Sequence, residues 1–338
     1  MAYNSKVVRK VLGDFENKYK AAAMNAEKIK TELYNKIPEL LDTDKKLEET
    51  YKKLAAAILS GGDYDLKMAE AKKNNRALIA KRNSLLEEAG YPINHTDPVY
   101  ECAQCGDTGY KGELMCECLK KALAAESINH SGLGRIIKNQ RFENFSLNYY
   151  DKKKPSDPEA EIPYKHMKEI CEECKKFAAD FGRNHENEHE NPEKHAKNLM
   201  FIGSTGLGKT HMSSAIAYEV IKKGYDVFYD SAQSILYSFE KERFSKSGAF
   251  DSEIIERYMS CDLLIIDDLG TEYSGNMAVS SLYSLINMRL LEKKGMIIST
   301  NLTGNEMQNK YDARIMSRII GEFTILNFIG DDIRLKKR

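Results

Sequence analysis

Two short stretches carry side chains whose types and spacing are those of chemistry. The first is GSTGLGKT, residues 203–210, which fits the pattern G-x-x-x-x-G-K-[ST]. Gly203, Gly206 and Gly208 allow the backbone to curl until its amides face inward, with Ser204, Thr205 and Leu207 completing the loop. Lys209 would then reach the β- and γ-phosphates of a nucleotide, and the Thr210 hydroxyl would hold Mg²⁺. The context strengthens the match, because the loop follows the apolar run NLMFI and opens a helical pattern whose N-terminus favours anions. An acidic strand end further along, LLIIDDLG at 263–270, supplies what such a loop needs. Four apolar residues make a buried strand, and its end delivers Asp267, a carboxylate for Mg²⁺, and Asp268, a group able to orient or activate a water. A third strand, GMIISTN, ends at Asn301, which would lie beside the γ-phosphate if that strand neighbours the loop strand.

The second stretch is CAQCGDTGYKGELMCEC, residues 102–118. Cys102-x-x-Cys105 is a half-site able to grip one ion through a tight turn. Cys116-x-Cys118 is a tighter pair that can add two ligands once residues 109–112 fold back as a hairpin. Four thiolates close a tetrahedral zinc site with no open position, hence a structural one. A reduced thiol cluster with redox function is the alternative. The total of seven cysteines is odd and fits poorly with a disulfide framework. Cys171 and Cys174 form another C-x-x-C, but within a helical pattern, where packing is the expected role; Cys261 reads the same way. His185, His189 and His195 lie in a polar stretch, 184–198, that reads as a solvated loop.

The elements that must position these groups are also visible. From residue 198, short apolar strands alternate with amphipathic helices, the signature of a parallel sheet covered on both faces. Ahead of it, Val8, Leu12, Phe15, Tyr19, Ala22, Ala26, Ile29 and Leu33 recur in steps of four and three, a coiled-coil-like seam that Pro38 should end. A second helix is expected from about Thr43 to Ser60 and a third from about Asp65 to Gly90. Apolar stripes of this kind serve a self-packed bundle or a docking arm, and the pattern alone favours the bundle. The segment RFENFSLNYY, 141–150, is an aromatic connector, and a helix is expected over 164–181. At 338 residues the chain should hold two or three domains. Its formal net charge of zero argues against a surface wholly built for a polyanion, though not against a local basic groove. The charged N-terminus lacks the apolar core of a secretory signal, and no run approaches the ~20 apolar residues of a membrane span, so a cytoplasmic protein with no membrane partner is expected.

Taken together, GSTGLGKT, DLLIIDDLG, STN and the ending ARIMSRI…GDDIR resemble the AAA+ ATPases of the bacterial helicase-loader class, the DnaC/DnaI type, with IstB-like transposition ATPases as close relatives. The placement of the cysteine stretch before RFENFSLNYY is similar to firmicute-type members. The resemblance implies an α/β P-loop AAA+ core preceded by a helical N-terminal region and a small zinc module. Its parts would be a partner-docking region over 1–95, a four-cysteine zinc module over 96–125, a connector, helix and linker over 126–197, and the ATPase core over 198–338. It further implies sensor-1 character for Asn301, an arginine finger at Arg318 that completes a neighbour's site, and a sensor-2 role for Arg334. Spacing alone would leave Arg314 and Arg318 as solvated helix-surface residues. In this class the N-terminal region binds the ring-shaped DnaB-type replicative helicase and the ATPase domain binds single-stranded DNA. ATP, Mg²⁺ and Zn²⁺ are the implied cofactors, and ATP-dependent self-assembly is a further implication. Asp268 stands where many AAA+ proteins carry Glu, and its shorter reach suits slow hydrolysis and a switch rather than a motor. A transposition-helper ATPase and a nucleotide-binding scaffold with little hydrolysis are the alternatives.

Overall fold

A computed structural model describes residues 3–60, 64–134, 136–153, 161–182, 198–244, 252–272 and 276–336. The histidines at 185, 189 and 195 lie outside them. The chain divides into two compact units, one of Met1–Val11 with Glu117–Arg338 and the other of Leu12–Cys116.

Three helices begin the chain: α1 (Ser5–Lys36), α2 (Pro38–Ser60) and α3 (Tyr64–Glu88). The second helix starts at Pro38, earlier than Thr43. A proline at the first helical position loses nothing, since that amide has no intrahelical partner, so Pro38 closes α1 and opens α2 together. α2 packs along α3, and Leu33, Leu40 and Leu86 form a small buried core with Ile29, Tyr34, Ile37 and Tyr91 packed around it. The seam expected along α1 is shifted: Val7, Val11, Phe15, Ala26 and Leu33 are buried, Val8 and Leu12 are half-buried, and Tyr19 is exposed and stacks on Tyr100. A short antiparallel hairpin follows, β1 (Tyr110–Lys111) with β2 (Leu114–Met115).

The other unit is built on a five-stranded parallel sheet. Leading into it are α4 (Glu117–His130), α5 (Ile136–Asn139) and α6 (Pro163–Asp180). The sheet and its crossovers then run β3 (Asn198–Ile202), α7 (Lys209–Lys222), β4 (Val227–Ser231), α8 (Ala232–Phe244), α9 (Ser252–Ser260), β5 (Leu263–Leu269), α10 (Asn276–Leu291) and β6 (Gly295–Thr300). It finishes with α11 (Gly304–Lys310), α12 (Ala313–Glu322), β7 (Thr324–Asn327) and α13 (Ile333–Lys336). Strand order is β4-β5-β6-β3-β7, every pair parallel. The period of two along each strand divides the apolar residues between two cores. Leu199, Phe201, Ile265 and Ile297 face α6 and α7, while Met200, Leu264, Ile266, Met296 and Ile298 face α8, α10 and α12. Cys171 and Cys174 are buried in the first core, Cys261 in the second, and burial pushes all three thiols up, which suits packing rather than reactivity. Among the described residues no helix is long and apolar enough to cross a membrane.

Arg289 is the largest fully buried side chain among the described residues. Its Nη1 donates to the carbonyls of Tyr258 (2.7 Å) and Met259 (3.1 Å), and its Nη2 to those of Cys261 (3.0 Å) and Gly295 (2.7 Å). It thereby satisfies the carbonyls that end α9 and ties them to the start of β6. Arg289→Leu is expected to destabilise this unit by about 3 kcal/mol, because buried acceptors lose their donors. Arg289→Lys should restore little, since an ammonium cannot span the fork of acceptors. Urea unfolding followed by circular dichroism measures both.

Candidate functional site

The loop 203–208 leaves β3, the strand between β6 and β7, and runs into α7. Gly206 has φ +81°, a left-handed turn that favours glycine, and it lies against the Asp332 carboxylate. The segment that carries Asp332 is laid on the loop: the Ile333 amide donates to the Gly206 carbonyl at 3.1 Å. The loop is held from another side by the connector, where the buried Tyr150 hydroxyl donates to the Leu207 carbonyl at 2.8 Å. His211, one residue into α7 past Thr210, bonds the Arg141 carbonyl through Nε2 at 2.8 Å and meets the Phe145 ring edge-on.

Lys209 is buried, and its ammonium donates to the carbonyls of Gly203 (2.5 Å) and Ser204 (2.8 Å) and to Oδ1 of Asn301 (2.6 Å). Burial lowers its pKa, opposed by the charges of Asp268 and Asp267. Its direct hydrogen-bond partners are all neutral oxygens, which the charged oxygens of a phosphate could replace.

Asp267 ends the buried run of β5. Its Oδ2 accepts the hydroxyls of Thr210 (3.0 Å) and Tyr229 (2.6 Å), and its Oδ1 accepts that of Ser299. The pairing of β5 with β6 slips between Ile266 and Leu269. That irregularity turns Asp268 outward, at φ +54° and exposed, beside the buried Asp267. The Asp268 amide donates to the Ser299 hydroxyl (3.0 Å), and its side chain is hydrogen-bonded to Asn301. Partial burial of its carboxyl and repulsion from Asp267 raise its pKa, with Lys209 and Arg334 pulling the other way. Arg334, set by the Asp332 turn (Arg334 amide to Asp332 Oδ1, 2.9 Å), is thus within electrostatic reach of both Lys209 and Asp268. The structure brings Lys209, Thr210, Asp267, Asp268, Asn301 and Arg334 to one sheet edge. It places Arg318 elsewhere, on α12 against α10, with Nε donating to Oδ1 of Asn287 (2.8 Å) and the guanidinium 4.6 Å from the Tyr283 ring. The hydroxyl of Thr210 and the carboxylate of Asp267 are hard oxygen donors already in contact, which fits a Mg²⁺ held at this edge.

Sequence reasoning assigns no roles to Tyr229, Ser299 or Tyr150. Ser299 lies in the quoted strand end and Tyr150 in the connector. Tyr229 faces Asp267 only because Ser231 pairs with Asp267 and the side chain two residues back shares its face, a register no single sequence prints.

The four cysteine sulfurs, Cys102, Cys105, Cys116 and Cys118, lie within 4.8 Å of one another, and Cys102 Sγ is 3.9 Å from Cys116 Sγ. No cysteine forms a disulfide. Tetrahedral zinc with Zn–S of about 2.3 Å sets sulfurs about 3.8 Å apart, so the cluster fits that ion. The Asp107 carboxylate, buried, accepts the amides of Glu101 (2.9 Å) and Cys102 (2.8 Å) and fixes the first turn. The Cys116 amide donates to the Gly109 carbonyl (2.8 Å) across the hairpin.

Comparison with known proteins places the C-terminal part. The family described as IstB-like ATP binding protein matches residues 193–338. The chain is 25% identical over 145 residues to the putative ATP-binding protein of insertion sequence IS232 from Bacillus thuringiensis subsp. berliner, covering 41% of this chain and 56% of that one. It is 21% identical over 229 residues to the replicative helicase loader DnaC of Buchnera aphidicola subsp. Schizaphis graminum, covering 66% and 82%. With DnaC of Escherichia coli K12 it shares 26% identity over 121 residues, covering 36% and 49%, so the match spans about half of the first and third of these relatives. A crystal structure of the DnaC helicase loader superposes with a TM-score of 0.45 at 18% identity, covering 58% of this chain and all of that one.

Two outcomes are expected. Lys209→Ala should abolish nucleotide binding measured by equilibrium dialysis, because Lys209 is the buried cation that faces the loop. Protein purified with reductant should carry about one zinc per chain by atomic emission, and Cys102→Ser with Cys105→Ser should remove it. A metal-free wild type would leave the reduced thiol cluster as the reading.

Proposed function

We propose that this protein, whose residues 193–338 match the IstB-like ATP-binding proteins, is an ATP-dependent loader of a hexameric replicative helicase onto single-stranded DNA. The observation that supports the ATPase half is the grouping of Lys209, Thr210, Asp267, Asp268 and Asn301 at one edge of the parallel sheet. In this reading the loop amides and Lys209 bind the phosphates, exchanging Lys209's carbonyl partners for phosphate oxygens. Thr210 and Asp267 hold Mg²⁺, which supplies charge neutralisation on the phosphates. Asp268 accepts the proton of the attacking water while Asn301 orients it. Arg334 adds positive charge from the same chain, and Arg318 acts on the site of a neighbouring subunit.

Slow turnover follows from Asp268. Its carboxylate is one methylene shorter than that of glutamate and so reaches less far toward a water at the γ-phosphate. ATP binding then sets the state of the protein, and hydrolysis resets it. The loader half rests on the relatives named DnaC and on the helical region that precedes the core, assigned here to the helicase; the ATPase unit is assigned to the DNA strand. The IS232 relative favours a second reading, a transposition-helper ATPase.

Full-length protein mixed with the replicative helicase of its host is expected to co-elute with it in size-exclusion chromatography when ATP is present. Elution apart under every nucleotide condition would favour the transposition reading. Asp268→Asn should retain ATP binding and lose hydrolysis at least about a hundredfold, the scale of a general base. Mixing Arg318→Ala with Asp268→Asn chains should restore part of the activity, since mixed interfaces pair two intact halves; a mixed assembly without rescue would count against a finger acting between subunits.

A further inference from the structure

Among the described residues, Tyr229 is the phenol that bonds the Asp267 carboxylate, and two observations assign it a purpose. Its hydroxyl donates to Oδ2 at 2.6 Å, shorter than the Thr210 contact to the same oxygen at 3.0 Å. If Thr210 turns its hydroxyl oxygen toward a metal, that oxygen of Asp267 keeps Tyr229 as its donor. The backbone of Tyr229 is itself seated. β4 is an edge strand, and its outer edge is covered at this residue by the turn after α4: the Tyr229 amide donates to the Ser131 carbonyl at 2.8 Å. Gly132, at φ +80°, packs so close that a Cβ would lie 2.4 Å from the Tyr229 carbonyl oxygen.

We propose that Tyr229 is a positioning residue that holds the Asp267 carboxylate in its metal-binding orientation, so that it sets the Mg²⁺ requirement of the site rather than its affinity for nucleotide alone. The inference rests on the ATPase reading above. A phenol suits this task because it is rigid, reaches across one strand from a seated backbone, and donates a single hydrogen bond to a charged acceptor without itself becoming charged. Ser299 fixes the other oxygen from β6, so the carboxylate is clamped from the strands on both sides of β5. Its rotation is then restricted before any metal arrives, and the loss of either clamp costs orientation.

The test uses full-length protein, wild type and Tyr229→Phe, which removes one oxygen and keeps the ring. Binding of a fluorescent ADP analogue is titrated with Mg²⁺ from micromolar to millimolar, and separately in EDTA, with thermal melts of both proteins. The expected result is an apparent Mg²⁺ affinity weakened about tenfold in Tyr229→Phe, the scale of one hydrogen bond to a charged group, with binding in EDTA unchanged at a temperature where both proteins are folded; the nucleotide-free variant melts somewhat lower, because a buried carboxylate has lost one donor. Superimposable Mg²⁺ curves would overturn the role of Tyr229 while leaving the ATPase reading intact. Equal losses with and without Mg²⁺ would also overturn it, by showing a merely structural side chain. A wild type that binds no nucleotide would overturn the ATPase reading and this role together.

Discussion

A carboxylate buried at the end of an all-apolar strand loses its hydration, and hydrogen bonds must replace what water supplied. Asp267 is in that position, and the phosphate edge of the molecule is arranged around satisfying it. Thr210 reaches it from the loop helix, Tyr229 from the strand on one side and Ser299 from the strand on the other. Each donor comes from a different part of the chain, so the sheet must be in register before the carboxylate is satisfied. The slip between β5 and β6 belongs to the same arrangement, because it accompanies the left-handed turn at Asp268 that leaves this side chain exposed beside the buried Asp267. Asp267 goes to the buried clamp and Asp268 to the open side, which suits one acid to a binding task and the other to a proton-transfer task.

The loop itself is held by neighbours that are remote in sequence. Tyr150 and His211 bind it to the connector, and Asp332 and Ile333 press on it from the far end of the chain. These contacts use carbonyls and outward-facing positions of the loop. The Lys209 ammonium is shared among two carbonyls and an amide oxygen, all neutral partners that phosphate oxygens could replace.

Much of this is legible in the sequence, for physical reasons that also mark the limits. Strands of three or four apolar residues and a glycine-rich loop are local signals, so β3, β5, β6 and the phosphate loop can be read directly. The cysteine stretch is equally local, and the hairpin between its pairs follows from Gly109 and Gly112. What cannot be read depends on register and packing. Tyr229 becomes part of the site through the pairing of β4 with β5, and Arg289 is a surface-type residue until α9 and β6 surround it. The start of α2 escapes the pattern because Pro38 reads as a stop, whereas proline serves as well at a first turn. Along α1, a spacing of four and three fits two neighbouring stripes, and burial chooses Val7 and Val11 over Val8 and Leu12.

The placement of Asp332 and Ile333 on the phosphate loop has a consequence for biosynthesis. The strands that flank β3 are β6 and β7, and the turn that seats Gly206 comes later still. A ribosome therefore releases GSTGLGKT long before the residues that shape it exist, and these contacts of high sequence separation form late. Until β7 and the turn after it have left the exit tunnel, the nascent chain holds a glycine-rich segment without its walls. A chain cut before β7 would keep the motif and lose the contacts that seat Gly206 against the end of the sheet.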